Sequence, residues 1–310
     1  MNKKVAVIGA GIMGPDIAFT FAINGYRVEL VDIEKDIIDA AISRIENNTE
    51  LFVEKGLIDQ NQAQQLPAMI HGTDNFEKAV EGVFYVTEAV TERLDVKTQV
   101  FNTLDRLCPN DVVLASNTSA ISISQIASAV RYPERVIGTH WIYPAHILPL
   151  VEIIKGEKTH EKTIGIALEV LTSLGKCPVI CGDSPPFINN SLRFAMVKTI
   201  FSLLDQGIAK PEDIDTVVKL GFGLRLSTFG PVEFMDAAGL DTHVRTREYI
   251  SKLKNDPSLA PPDMLKQKVE AGELGIKSGK GFYDYRSIDA KKLLKERYSK
   301  LIDIVKIIKS

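Results

Sequence analysis

The sequence predicts an α/β protein: a Rossmann-like doubly wound sheet with a helical arm, followed by an all-α C-terminal domain. Three observations predict it. Short apolar runs alternate with helical periodicity up to about residue 185, the pattern of a mainly parallel sheet with helices on both faces. The first strand–helix–strand unit carries a glycine-rich turn and ends its second strand on an acid. Beyond Pro185-Pro186 strand signals cease and helical periodicity alone continues.

The first unit comes first in the chain. Val5 to Ile8 is a β-branched apolar run, followed at once by Gly9-Ala10-Gly11-Ile12-Met13-Gly14. Ile17, Ala18 and Phe21 then recur at helical spacing, and Val28 to Val31 leads to Asp32. Gly9 suits a tight turn, Gly11 a close approach of a pyrophosphate, and Gly14 close packing of helix on strand. The helix N-terminus offers free N–H groups and a positive dipole end. Asp32 suits the two ribose hydroxyls of NAD and repels a 2′-phosphate. The unit therefore predicts an NAD site.

The remaining elements follow in order. Ile37 to Lys55 is a long helical pattern closed by Gly56, and a shorter one surrounds Asn61 to Leu66. This excursion exceeds a plain crossover and predicts a projecting helical arm. Val83 to Glu88, Val112 to Ala115, Val136-Ile137, Leu150 to Ile154 and Val179 to Cys181 are strand candidates. A helix from about His160 to Leu174, stopped by Gly175, separates the last two. In the second half, Phe187 to Gln206 is helical, PEDID starts a further helix with Pro211 in its first turn, and Asp263 to Glu273 is another. The boundaries read as 1–185 for the NAD-binding domain, 186–285 for a helical substrate and dimerisation domain, and 286–310 for a C-terminal amphipathic helix. In that tail eight Lys/Arg face three acids. Both a membrane-surface helix and a helix docked on its own chain or a partner subunit fit, the second better.

Composition narrows the class. The 310 residues suffice for two cores, and 45% hydrophobic with 25% charged content is that of a globular protein. A net charge of −3 without a basic aromatic stripe excludes a nucleic-acid partner. MNKK runs straight into the first strand, leaving no signal peptide, and no apolar run is long enough for a membrane span. Cys108, Cys177 and Cys181 form no disulfide framework, and Cys177 and Cys181 read as buried thiols of an apolar strand, with no metal site. A cytoplasmic setting follows.

In open α/β sheets ligands sit beyond the carboxyl ends of the strands. Those ends carry the glycine turn, Asp32, Glu88 to Glu92, Ser116 to Ser119 and His140. Glu152 lies twelve residues beyond His140, across a turn near Ala145-His146. A carboxylate there fixes the imidazole tautomer and stabilises the imidazolium, as a dehydrogenase base requires. On the residues alone two readings stand: a catalytic dyad, or a structural histidine beside a strand-capping glutamate. His71, His146, His160 and His243 have no such companion and read as surface or turn residues.

The set GAGIMG with Asp32, EAVTER, ASNTSAISI, GTHWIYP with LVEII, PPFINN, GPVEFMDAAGLD and KSGKGFYDY resembles the 3-hydroxyacyl-CoA dehydrogenase family over residues 1 to about 285. The resemblance implies NAD as cofactor, a homodimer formed through the helical domain, and oxidation of a short L-3-hydroxyacyl-CoA such as 3-hydroxybutyryl-CoA. It implies His140 as base, Glu152 as its partner, and Ser119 with Asn190 holding the substrate oxygen. It places Glu92 and Lys97 beside the nicotinamide and its ribose. The expected cofactor set is thus Gly9, Gly11, Ile12, Met13, Gly14, Asp32, Glu92, Lys97 and Asn117. The chain departs from the family's pattern at Tyr143 in HWIYP, at Pro186, and at Ser191 after Asn190. Its arm from Arg44 to Gly56 sets Arg44 and Lys55 against Glu46, Glu50 and Glu54, a poor match for CoA phosphates. Relatives acting on free hydroxy acids or hydroxymethyl compounds, such as L-gulonate, carnitine and pyridine-carboxylate dehydrogenases, are therefore the first alternative. A crystallin-like binding protein is the second.

Overall fold

The computed structural model describes residues 3–309. The chain forms two compact units, one reaching to Val197 and one beginning at Lys198.

The first unit is built on an eight-stranded sheet ordered β3-β2-β1-β4-β5-β6-β7-β8. The first half runs β1 (Lys4–Ile8), α1 (Gly14–Ile23), β2 (Arg27–Val31), α2 (Lys35–Glu54), α3 (Gln60–Met69), β3 (Ile70–Thr73), α4 (Phe76–Ala79) and β4 (Tyr85–Glu88). The second half runs α5 (Leu94–Leu107), β5 (Val113–Ser116), α6 (Ile123–Ala127), β6 (Val136–Trp141), β7 (Leu150–Lys155), α7 (Glu161–Ser173) and β8 (Cys177–Gly182), and α8 (Phe187–Asp205) follows. Every neighbouring pair is parallel except β6 and β7. Strand order reverses at β1, so the crevice beyond β1 and β4 is the ligand position of such sheets.

Alternate residues of the strands feed two apolar layers. Val5, Val7, Val28 and Leu30 pack under α1, α2, α3 and α7, with Phe19 and Phe21 filling the space. Ala6, Ile8, Val86 and Leu114 pack on the other face with Phe101, Leu104, Ile123 and Ile126. Burying each such large side chain stabilises the fold by about 1.5–3 kcal/mol. Strands covered on both faces read as continuous apolar runs, and that is why β1, β4 and β5 are visible in the sequence.

Two expectations fail. β3 was not expected: its four residues IHGT bury only Ile70 and include a glycine, so periodicity could not reveal it. β8 is an edge strand, and Cys177 is exposed while Cys181 is half-buried; neither is a buried thiol. Burial still pushes the Cys181 thiol up to about 11, with Glu152 and Asp183 adding to it, so it stays protonated.

The second unit holds α9 (Pro211–Val217), a π-helical stretch at Val218–Gly223, α10 (Leu224–Leu226), α11 (Pro231–Ala238), α12 (Leu240–Lys254), α13 (Asp263–Glu270) and α14 (Ala290–Lys309). Its pin is Asp236, fully buried, which accepts from Phe282 N, Tyr283 N and the Tyr285 hydroxyl at 3.0, 2.9 and 3.1 Å. A side chain at Gly275 would sit 2.2 Å from the Asp236 carbonyl. The paired motifs around Asp236 and Phe282 are thus structural. The tail helix α14 docks within this unit: Arg297 meets Glu233 at 2.9 Å and Tyr298 packs on Phe229. Among the described residues no helix is long and apolar enough to cross a membrane.

Candidate active site

His140 on β6 and Glu152 on β7 are directly opposed partners of the antiparallel pair. Side chains opposed in this way share a face and meet. His140 Nδ1 lies 2.7 Å from Glu152 Oε2, and the two side chains are 8% and 2% exposed. The carboxylate only accepts, so Nδ1–H donates to it and Nε2 is left for a ligand. The other oxygen, Glu152 Oε1, accepts from Asn189 N at 2.8 Å, in the first turn of α8, where the helix dipole favours an anion. Phe187 begins that helix at φ +62°, a strained value for a residue with a side chain, and its ring packs 6.0 Å from the imidazole.

A cavity of about 700 Å³ joins this pair to the glycine turn; Gly11, Ile12, Met13, Glu92, Asn117, Ser119, His140, Tyr143 and Asn190 are among its walls. Gly9 and Gly14 stand behind the turn. A Cβ on Gly9 would sit 2.6 Å from Ala89 O, and one on Gly14 would sit 1.9 Å from Gly9 O. Gly11 differs, because nothing lies within 4 Å of where its Cβ would be. The space it leaves faces the cavity, as a cradle for a pyrophosphate requires. Asp32, just beyond the end of β2, accepts from Ala10 N and Ile33 N, each at 2.8 Å, and so braces the turn.

Asn190, buried, donates Nδ2 to the Ser119 carbonyl at 3.1 Å, and Asn117 Oδ1 accepts from Trp141 N at 2.9 Å. Glu92 Oε1 accepts from the Thr118 hydroxyl and from Ser119 N and Ala120 N. Burial raises this carboxyl, but the Thr118 bond, the nearby Lys97 charge and the two amides outweigh it and hold the pKa low. Glu92 is therefore an anion at the cavity wall. Lys97 does not reach the cavity. Its side chain is 0% exposed, with Nζ 2.7 Å from Glu88 Oε1 and 3.3 Å from Glu92 Oε2. A lysine closed off in this way meets Glu88 and Glu92 and does not line the cavity.

Sequence reasoning missed two networks. Glu88 also accepts from Val90 N and the Ser116 hydroxyl, so one buried carboxylate ties together the ends of β4 and β5. The signal was there in a carboxylate closing an otherwise apolar strand. The second is centred on Asp16 in the first turn of α1, fully buried, which accepts from Arg44 and from Ala145 N. His146 Nδ1 lies 3.0 Å from Asp16 without hydrogen-bond geometry, and His71 Nδ1 bonds Glu29 at 2.7 Å. Both histidines thus have the carboxylate partner they were expected to lack. Lys176 closes the group by donating to Ala145 O and Leu148 O; burial, opposed by Asp16, lowers its amine to about 8. Among the described residues no cluster of His, Cys, Asp and Glu could hold a metal ion.

With this geometry established, the comparisons with known proteins are specific. The family model "3-hydroxyacyl-CoA dehydrogenase, NAD binding domain" matches residues 4–184, and "3-hydroxyacyl-CoA dehydrogenase, C-terminal domain" matches residues 187–285. A 5-formyl-3-hydroxy-2-methylpyridine 4-carboxylate 5-dehydrogenase of Mesorhizobium japonicum is 34% identical over 314 residues, covering 99% of both chains. A probable 3-hydroxybutyryl-CoA dehydrogenase of Bacillus subtilis is 36% identical over 283 residues, covering 91% of this chain and 97% of its own. The crystal structure of a 3-hydroxyacyl-CoA dehydrogenase from Archaeoglobus fulgidus superposes with a TM-score of 0.83 at 33% identity, covering 99% of each chain.

Proposed function

The chain belongs to the 3-hydroxyacyl-CoA dehydrogenase family and is an NAD-dependent oxidoreductase, and from that premise we propose how it works and on what. The proposed reaction is oxidation of the secondary hydroxyl of a short L-3-hydroxyacyl-CoA, typified by 3-hydroxybutyryl-CoA, to the 3-ketoacyl product. The carrying observation is the opposed His140–Glu152 pair on the wall of the cavity that the glycine turn also lines.

His140 Nε2 takes the hydroxyl proton, and Glu152 holds Nδ1–H and stabilises the resulting imidazolium. Ser119 and Asn190 orient the substrate oxygen. NAD, when bound, would supply the hydride acceptor for the carbinol carbon, so that alcohol and NAD⁺ would give ketone, NADH and a proton. Gly9, Gly11, Ile12, Met13, Gly14, Asp32 and Asn117 form the cofactor side, and Lys97 sets the charge of Glu92. The test is NADH formation from 3-hydroxybutyryl-CoA by the parent protein and by His140→Gln. Turnover that depends on His140 supports the assignment, and equal turnover in both rejects it.

A second reading, oxidation of a small free hydroxy acid or hydroxymethyl compound, is favoured by the arm. Arg44 is spent on Ile12 O and Asp16, and Lys55 on Glu54, so residues 44–56 offer CoA phosphates no unpaired cation. We also propose a homodimer through the helical domain, supported by exposed Phe201, Leu220 and Phe222, and measurable by sedimentation.

A further inference from the structure

Arg193 stands on α8 one turn beyond Asn190 and contributes to the wall of the His140 cavity. Residues three apart on a helix share a face, and Arg193 Nε is tethered to Asn190 Oδ1 at 3.3 Å. No carboxylate within ion-pair distance neutralises it among the described residues; its guanidinium otherwise lies over the adjacent Phe194 ring. The anionic Glu92 on the same wall is already committed to Thr118, Lys97 and two backbone amides. The cavity therefore presents one unpaired permanent cation, whose Nη pair is free of protein partners.

Nature's planar complement to such a fork is a carboxylate, which it binds through two parallel hydrogen bonds. We infer that Arg193 anchors a free carboxylate of the substrate, which makes the substrate class a small hydroxy acid. The inference rests on the dehydrogenase reading above and favours its second form, with the acyl-CoA form as the alternative outcome of the test. In a 3-hydroxy acid a single methylene separates the carboxyl carbon from the carbinol carbon. A 3-hydroxy acid thus carries both groups close together in one small molecule, and His140 and Arg193 line one cavity of about 700 Å³. A thioester carries no charge at that carbon, so its acyl end offers the guanidinium no anion.

The experiment compares (S)-3-hydroxybutyrate, its methyl ester and (S)-3-hydroxybutyryl-CoA as substrates of the parent, Arg193→Met and Arg193→Lys. Binding of acetoacetate to the NADH complex is measured alongside by calorimetry. The expected result is a parent preference for the acid over the ester, measured as kcat/KM, that falls about 10- to 100-fold in Arg193→Met, the effect of one charge-assisted contact. Acetoacetate affinity should fall in parallel, with partial recovery in Arg193→Lys. A preference for ester or thioester that Arg193→Met leaves unchanged overturns the inference while the dehydrogenase reading survives. Absence of turnover on all three substrates overturns that reading instead, and arginine-dependent acetoacetate binding then still supports the anchor.

Discussion

Arg44 Nη2 donates to Asp16 Oδ1 at 2.6 Å, and the same guanidinium donates through Nη1 to the Ile12 carbonyl at 2.7 Å. The helical arm thereby grips both the glycine turn and the helix it opens. The guanidinium also lies 5.9 Å from the centre of the Tyr143 ring, which lines the same cavity as Ile12. Arg44, on an arm poorly matched to CoA phosphates, is an internal brace between the arm and the glycine turn.

Replacing Arg44 by Ala should lower the unfolding free energy by about 1–3 kcal/mol. The fully buried Asp16 keeps only Ala145 N and the nearby His146, while partial exposure of Arg44 moderates the loss. Urea unfolding measures it. NAD affinity should fall as well, since Ile12 loses its tether; Arg44→Lys should recover the charge but not the two-pronged grip.

His140→Gln should reduce turnover by about 10²–10⁴, the usual contribution of a positioned base, with the NAD dissociation constant within about twofold of the parent. Glu152→Gln should do nearly as much damage, because it weakens both the imidazole and its tie to Asn189 N. Stopped-flow NADH formation and cofactor fluorescence titration separate the two effects. Loss of cofactor binding along with turnover would show that the pair is structural.

What the sequence revealed and what it hid divide along physical lines. Doubly buried strands announce themselves as apolar runs, and the glycine turn is legible because chain geometry forces glycine at 9 and 14. The His140–Glu152 pairing was readable because a hairpin of that length returns the second strand to the first. The resemblance placed Lys97 beside the cofactor, but its closing against Glu88 and Glu92 was not legible, since position alone does not say which way a side chain turns from the start of α5. The edge strands β3 and β8 lack two-sided burial and leave only weak patterns. Asp16, His146 and Lys176 come together from three distant segments, and no local pattern encodes such a meeting.

Lys97→Met should destabilise the protein by about 3–5 kcal/mol, because Glu88, fully buried, loses its cation. Adding Glu88→Gln should return part of that loss by removing the stranded charge. Thermal midpoints of the single and double variants supply the coupling. A double variant as unstable as the sum of both singles would place the value of Lys97 in packing and not in the pair.

Asp32→Ala should weaken NAD by about tenfold or more, since it removes the proposed ribose acceptor and also the acceptor for Ala10 N in the turn. The parent protein should use NAD in strong preference to NADP, and Asp32→Ala should narrow that preference. Initial rates with both cofactors report it.

Asp105 provides the test of pH dependence. It accepts from Arg131 N and side chain and from Arg135, whose guanidinium is itself buried. Burial opposes ionisation there, but the Arg131 and Arg135 contacts outweigh it and hold the carboxyl at about 2, against 3.8 for a free aspartate. The folded-state value is the lower one, so the unfolded chain binds the proton more readily and stability falls with acidification. The contribution is complete above about pH 4 and is lost as pH falls toward 2. A shift of that size corresponds to about 2 kcal/mol. Asp105→Asn should therefore be less stable than the parent at pH 7, by at least this amount because Arg135 is left without its carboxylate. The gap between the two should shrink as urea midpoints are followed below pH 4. A gap that stays constant from pH 7 to pH 2.5 would mean that the asparagine is losing shape and hydrogen bonds only, and that the ion pair adds nothing.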